Sequence, residues 1–531
     1  MKINSRKIVQ VNNLSVSYSE NLKPTLKNLK LEINQGDHLA VIGSSGCGKS
    51  TFAKSIVQML PRGSTCKGEL LIAGNDPREM NNQELKDFRR SVFGFIYQDS
   101  IRKLNPLMTV GDHLFELLKM HWKDKSDHFL YQNVEKIFAK VGISPERINS
   151  FPHEFSGGMR QRVCIALAFA LNPKIIIADE PTTSLDAYTS YAIMKELISL
   201  CDQFSSTLIL ISHDISLAAK WCKKIAVIDN GVISEQSLIK EFIEFPKSDI
   251  GKKIIKSSSL QLKNFFTKDI SSKVVMEVGN LRYWYRLDSS FIKPKWNKVL
   301  NEISFKLFKN ETLGIVGISG SGKSTLGRVL SGLLKYRGGF IKTGRDNFLN
   351  KRDRKIDNSK NIQMIFQDPY SSLNPKMTIK ETLEDIIDIH KKFNRSDIED
   401  ELTNILHNLD LSSEDKFLNK YPNQLSGGQL QRISISRVLL IKPKILICDE
   451  SLNMLDAPIK IEILQLLRKI QKEFNLSIIF ITHDLMMAKE FCNRLLVINK
   501  GKIVEQGETC EVFKFPKNSI TKRLIKSSFN L

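Results

Sequence analysis

The apolar positions of the chain fall into two alternating patterns. Short β-branched runs, LAVIG, IIIAD, TLILIS and KIAVID in the first half, are separated by longer stretches with a helical period. Parallel strands joined by crossover helices produce this alternation, so the pattern predicts an α/β fold. The strongest apolar stretches, such as 165–170 and 208–211, fall far short of the roughly 18 residues that a spanning helix requires. The chain is therefore expected not to cross a bilayer itself.

The whole pattern occurs twice. FSGGMRQR at 155–162 returns as LSGGQLQR at 425–432, IIIADE at 175–180 as ILICDE at 445–450, and ISHD at 211–214 as ITHD at 481–484, each displaced by 270 residues. The tails FPKSDIGKKIIKSS, from Phe245, and FPKNSITKRLIKSS, from Phe515, keep the same offset. A repeat this long is a whole domain, unlike the roughly 20 to 50 residue units of a solenoid. The expected organisation is a first domain over 1–257, a linker over 258–273 and a second domain over 274–531. The seam, SSSLQLKNFFTKDISSK, lacks a sustained period and is rich in serine and lysine, as linkers are.

Composition narrows the class. At 41% hydrophobic and 26% charged residues the chain has the balance of a globular protein, which excludes disordered and collagen-like classes. Its eight cysteines show no C-x-x-C spacing, so neither a zinc site nor a disulfide framework is indicated. The N-terminal stretch has basic residues but no continuous apolar segment, and export by a signal peptide is not expected. The formal charge of +22 raises nucleic acid or an anionic membrane as partners. Lysine is spread through the chain rather than gathered in one block, so solvated lysine-rich faces are the reading taken, with no nucleic-acid partner expected.

Chemistry enters with two P-loops. GSSGCGKST at 43–51 follows one strand-like run and GISGSGKST at 317–325 follows another. Backbone N–H groups freed by Gly43, Ser44, Gly46 and Gly48, and by Gly317, Ser319, Gly320 and Gly322, can turn inward around phosphates, and the following helix presents its positive end. Lys49 and Lys323 would reach the β and γ oxygens, Ser50 and Ser324 would ligate Mg²⁺, and Thr51 and Thr325 complete the motifs. Each half also has an apolar run ending in Asp-Glu, at Asp179 and Glu180 and at Asp449 and Glu450. The aspartate can hold the Mg²⁺ shell while the glutamate meets the attacking water, which implies hydrolysis as well as binding.

P-loop, Gln, SGG, Asp-Glu, Leu-Asp and His occur in that order in both halves, and this series resembles the ATP-binding cassette family over essentially the whole chain. The resemblance implies two tandem P-loop NTPase domains, each with a RecA-like core, an antiparallel β subdomain and a helical signature subdomain. It implies that Tyr18 and Tyr285 stack on adenine, and that Gln98 and Gln367 sense Mg²⁺ and the membrane partner. It further implies that His213 and His483 contact the γ-phosphate. Such cassettes pair head to tail, so Ser156, Gly157 and Gly158 would cap the nucleotide on the second P-loop, and Ser426, Gly427 and Gly428 that on the first. The series departs from the family in Met159, where glutamine is usual, and in ESLNMLD at 450–456 where the first half has EPTTSLD. Both halves keep Lys, Asp, Glu, Gln and His, so two hydrolytic sites are expected.

KLNPLMTVGDHL at 103–114, SLNPKMTIKETL at 372–383 and QDPYSSLNP at 367–375 resemble the peptide and nickel importer branch, especially fused ATPases for peptide or microcin C-type uptake. That branch implies two transmembrane permease subunits, a substrate-binding protein and a place on the cytoplasmic face of the cell membrane. The family's usual His-Pro-Tyr-Thr tail appears here as Phe-Pro-Lys, at 245–247 and 515–517. The rival reading is a soluble two-cassette factor of the ribosome, which the basic charge favours. A short irregular seam in place of a long charged helix, and the Leu-Asn-Pro segments, count against it. A DNA-repair cassette would need inserted zinc-binding cysteine pairs, which the spacing excludes.

Overall fold

In the strand His38–Ile42, Leu39 and Val41 enter one apolar core while Ala40 and Ile42 enter another. Successive side chains of a strand leave opposite faces, so a run without polar interruption is what a sheet covered on both sides demands. Ile175–Asp179 divides the same way, Ile175 and Ile177 against Ile176 and Ala178, and so does Thr207–Ser212.

These elements belong to a computed structural model that describes residues 6–18, 23–44, 46–97, 103–183, 185–259, 272–286, 296–344, 347–348, 360–390, 395–452, 455 and 457–529. The expected linker, 258–273, falls mostly outside them. The chain divides into two compact units, one chiefly from positions up to 260 and the other chiefly from those beyond.

In the first unit a six-stranded sheet runs in the order Phe93–Ile96, Ile175–Asp179, Thr207–Ser212, His38–Ile42, Lys224–Asp229, Val232–Leu238. Neighbours are parallel except the last pair, an antiparallel hairpin. The earliest strand in sequence lies inside the sheet, so the chain order reverses there, and such reversals open a crevice at the carboxyl ends of the strands. The P-loop, the Asp-Glu pair and the histidine each follow one of three adjacent strands, His38–Ile42, Ile175–Asp179 and Thr207–Ser212.

One face of this sheet shares a core with a three-stranded antiparallel sheet, ordered Leu26–Asn34, Lys7–Ser17, Thr65–Ile72, through Val9, Leu31 and Leu70. The other face is covered by Leu114, Val134, Ile165 and Leu197 from the helices Val110–His121, Asp127–Lys140, Gly157–Phe169 and Ala187–Gln203.

The second unit repeats the plan. Its main sheet runs Ile362–Ile365, Ile445–Asp449, Ser477–Ile481, Thr312–Gly317, Arg494–Asn499, Lys502–Glu508, and its antiparallel sheet Trp296–Phe308, Val274–Arg286, Gly338–Thr343, Asn347–Phe348. The α/β architecture expected from the apolar pattern is the one observed. Among the described residues no helix is long and apolar enough to cross a membrane.

One feature distinguishes the two units and another is common to both, and the apolar pattern reveals neither. Arg468, 4% exposed, donates to Thr312 Oγ1 at 3.1 Å, to Gln471 Oε1 at 2.8 Å and to the Phe491 carbonyl. Burial pushes its guanidinium down to about 10; the first half has Ile198 at the same offset. The tails, by contrast, are anchored alike. Glu235 accepts from the Lys247 and Ser248 backbone N–H groups at 3.0 and 2.8 Å, and Glu505 from those of Lys517 and Asn518 at 2.8 and 3.0 Å.

Candidate active site

Each P-loop enters its helix through a glycine that no other residue replaces without strain. Gly48 and Gly322 precede the helices Lys49–Ile56 and Lys323–Leu330 with φ of 111° and 104°, a region costly to residues with a Cβ. A Cβ on Gly48 would also stand 2.6 Å from Leu26 Cδ2. The first-turn N–H groups of an α-helix have no intrahelical partners, which makes the helix start after this turn suited to an anion.

Both lysines are buried and lie along their own loops. Lys49 Nζ donates to the carbonyls of Gly43 and Ser44, each at 2.8 Å. Lys323 Nζ donates to those of Gly317 and Ile318 at 2.9 and 3.1 Å, with Glu450 Oε1 4.0 Å away. Burial lowers the Lys323 ammonium below the ordinary lysine range, against the pull of Glu450.

Hard oxygen donors sit beside the lysines. Ser324 Oγ donates to Asp449 Oδ1 at 3.0 Å, and Ser50 hydrogen-bonds Asp179. Burial pushes both aspartates up, Asp449 to about 6, while the serine hydroxyls oppose it. A carboxylate pushed up by burial gains from a nearby cation. Among the described residues no group of three or more His, Cys, Asp or Glu could hold a metal alone. The pair of oxygens suits a hard cation that keeps most of its shell from water and phosphate.

Glu180 and Glu450 have φ of 47° and 46°, the left-handed region that costs a non-glycine residue roughly 1–2 kcal/mol. Their backbone N–H groups donate to the Ile211 and Ile481 carbonyls, each at 2.9 Å, so the neighbouring strand holds the turn. The side chains then meet the histidines. His213 Nδ1 lies 3.0 Å from Glu180 Oε1 and His483 Nδ1 3.5 Å from Glu450 Oε1. A carboxylate can only accept, so the 3.0 Å contact places the imidazole proton of His213 on Nδ1. Burial works against the Glu180 carboxylate, yet His213 and Thr183 outweigh it and hold the group below the ordinary range. Gln367 Nε2 donates to Glu450 Oε2 at 3.0 Å; Gln98 lies outside the described residues.

The signature serines cap the helices Gly157–Phe169 and Gly427–Leu439. Ser156 Oγ accepts from the Met159 N–H at 3.4 Å, and Ser426 Oγ from the Gln429 N–H at 3.3 Å. Gln429 Oε1 returns the bond to the Ser426 N–H at 3.1 Å, a reciprocal capping box. A methionine side chain cannot return it, which is the structural consequence of the departure at 159. Gly157, Gly158, Gly427 and Gly428 form the first turns of these helices.

The aromatic candidates diverge. Tyr18 Oη lies 3.0 Å from Thr51 Oγ1, tying the strand Lys7–Ser17 to the P-loop helix. Tyr285 instead packs edge to face on Tyr283, with centroids 4.9 Å apart. Motif reading missed the tail anchors Glu235 and Glu505, although both obey the same 270-residue offset that revealed the domains.

Comparison with known proteins identifies the family. The model of a family described as ABC transporter matches residues 26–183 and 300–453, one copy in each half. The chain is 31% identical over 539 residues to the peptidoglycan transport ATP-binding protein YejF of Agrobacterium fabrum (strain C58), covering 99% of this chain and 97% of that protein. It is 32% identical over 530 residues to the uncharacterized ABC transporter ATP-binding protein YejF of Escherichia coli K12, covering 98% and 99%. Against the glutathione import ATP-binding protein GsiA of the same bacterium the identity is 29% over 562 residues, covering 99% and 90%. The chain belongs to the ABC transporter family and is one of its ATPases, with two copies of the family's ATP-binding domain in one polypeptide.

Proposed function

We propose that the chain is the energy-coupling ATPase of an importer for peptide-like compounds, working with two separate transmembrane permease subunits and a substrate-binding protein at the cytoplasmic face of the membrane. The observation that carries this is the repetition of one constellation, phosphate loop, Ser–Asp oxygen pair and Glu–His pair, in both halves. Likeness to import and transport ATPases over nearly their whole length supports the cargo class.

In this reading the loop N–H groups and the lysines bind the ATP phosphates, and Ser50 with Asp179 and Ser324 with Asp449 hold Mg²⁺, which offsets the phosphate charge. Glu180 and Glu450 take the proton of the attacking water, and His213 and His483 orient them toward the γ-phosphate. Tyr18 and Tyr285 face adenine, and Gln98 and Gln367 join the Mg²⁺ shell. The signature turns at 156–158 and 426–428 complete the nucleotide sites, each serving the P-loop of the other half. The linker over 258–273 tethers the pair and guarantees one cassette of each kind.

Purification of the tagged full chain from solubilised membranes tests the reading. Two permease chains are expected to arrive with it, and transport of peptides is expected to require ATP. Ribosomes arriving in their place would overturn it in favour of a translation factor.

A further inference from the structure

We propose that Thr183 is a positioning residue for the base Glu180. The Thr183 hydroxyl donates to Glu180 Oε2 at 2.9 Å while His213 Nδ1 faces Oε1 at 3.0 Å. The left-handed turn at Glu180 makes this contact: it folds residues 180–183 so that the Thr183 N–H also reaches the Glu180 carbonyl at 3.4 Å. Both carboxylate oxygens are thus engaged from opposite sides, which fixes the plane of the group. In the second half the sequence has Asn453 at the place of Thr183, and Glu450 Oε2 accepts from Gln367 at 3.0 Å.

The orientation bears on the reaction. Water oxygen bonds to the γ-phosphorus, the bond from that phosphorus to the β-γ bridging oxygen breaks, ADP departs, and the proton of the water passes to Glu180. A base misplaced by about 1 Å can lose on the order of a hundredfold in rate, so a hydroxyl that fixes its plane matters although it touches neither water nor phosphate.

The inference rests on Glu180 being the base, and the experiment separates the two claims. ATP turnover by the full chain is measured for Thr183→Val, Thr183→Ser and Glu180→Gln, with nucleotide affinity and thermal unfolding recorded for each. Thr183→Val is expected to lose most of the turnover that Glu180→Gln removes, through kcat with KM for ATP unchanged, and Thr183→Ser to restore it. Native kcat in Thr183→Val beside a defective Glu180→Gln overturns the positioning role alone. A loss in Thr183→Val that comes with weakened ATP affinity or a lowered unfolding midpoint, or that serine does not rescue, also overturns it. Native turnover in Glu180→Gln overturns the base and the inference together.

Discussion

Ser324 Oγ stands 3.0 Å from Asp449 Oδ1, a hydroxyl from the P-loop helix meeting a carboxylate that is 3% exposed. The neutral isostere Asp449→Asn keeps the shape and removes the charge that burial opposes. In chelator, its unfolding midpoint is expected to lie above that of the native chain. With Mg²⁺ present, its ATP turnover is expected to fall, with the Mg²⁺ requirement raised at least tenfold, the scale on which even outer partners of a metal matter. An unchanged Mg²⁺ titration would remove Asp449 from the metal site.

Glu180→Gln and Glu450→Gln, made singly, are each expected to lower ATP turnover, because a positioned base contributes on the order of 10²–10⁴ in rate. Full activity surviving either change would sink the claim of two hydrolytic sites. The double variant is expected to bind ATP and retain it.

Gly48→Ala and Gly46→Ala separate strain from collision. Both positions have positive φ, 111° and 77°, but a Cβ at 48 meets Leu26 whereas one at 46 meets nothing within 4 Å. Each substitution is expected to cost about 1–2 kcal/mol of backbone strain, and Gly48→Ala more besides. Calorimetry that ranks Gly46→Ala as the less stable would contradict the packing at Leu26.

Legibility tracked chemistry. Phosphate loops and Asp-Glu pairs stood out because few residue types at fixed spacing suit the phosphate and metal work proposed for them, the histidines because they follow the same strand in both halves, and the repeat displayed each of them twice. Burial on both faces made the central strands equally plain. The left-handed φ at Glu180 was not legible, since glutamate normally avoids it and the neighbouring strand imposes it through the Ile211 carbonyl. Arg468 was hidden because a charged residue in a helical pattern reads as solvated, while its partners Thr312 and Phe491 are distant in sequence. Met159 was visible as a departure; what it removes, the returned bond of the capping box, took the geometry to see.

Acid should release the tail of the first half. Burial opposes the Glu235 carboxylate, yet the donors at Ser248 and Lys247 outweigh it and hold the group below the ordinary glutamate range. A depressed native pKa adds stability that is complete above the unfolded value of about 4.3 and is lost as pH falls through the lower native value. Glu235→Gln is expected to cost about 2 kcal/mol at neutral pH, the scale of hydrogen bonds to a charged group. The gap between native and variant unfolding midpoints should narrow in acid; a gap that persists there would exclude the charge as its origin.

The left-handed turns at Glu180 and Glu450 do not themselves favour glutamate. Glycine or asparagine at 180 or 450 would sit in the same backbone turn with less strain than glutamate does, so the backbone itself offers no resistance to drift toward them. Under the proposed reading only the demand for ATP turnover would hold both glutamates in place, and a fused chain whose demand for ATP fell would slide readily into one live cassette and one passive partner.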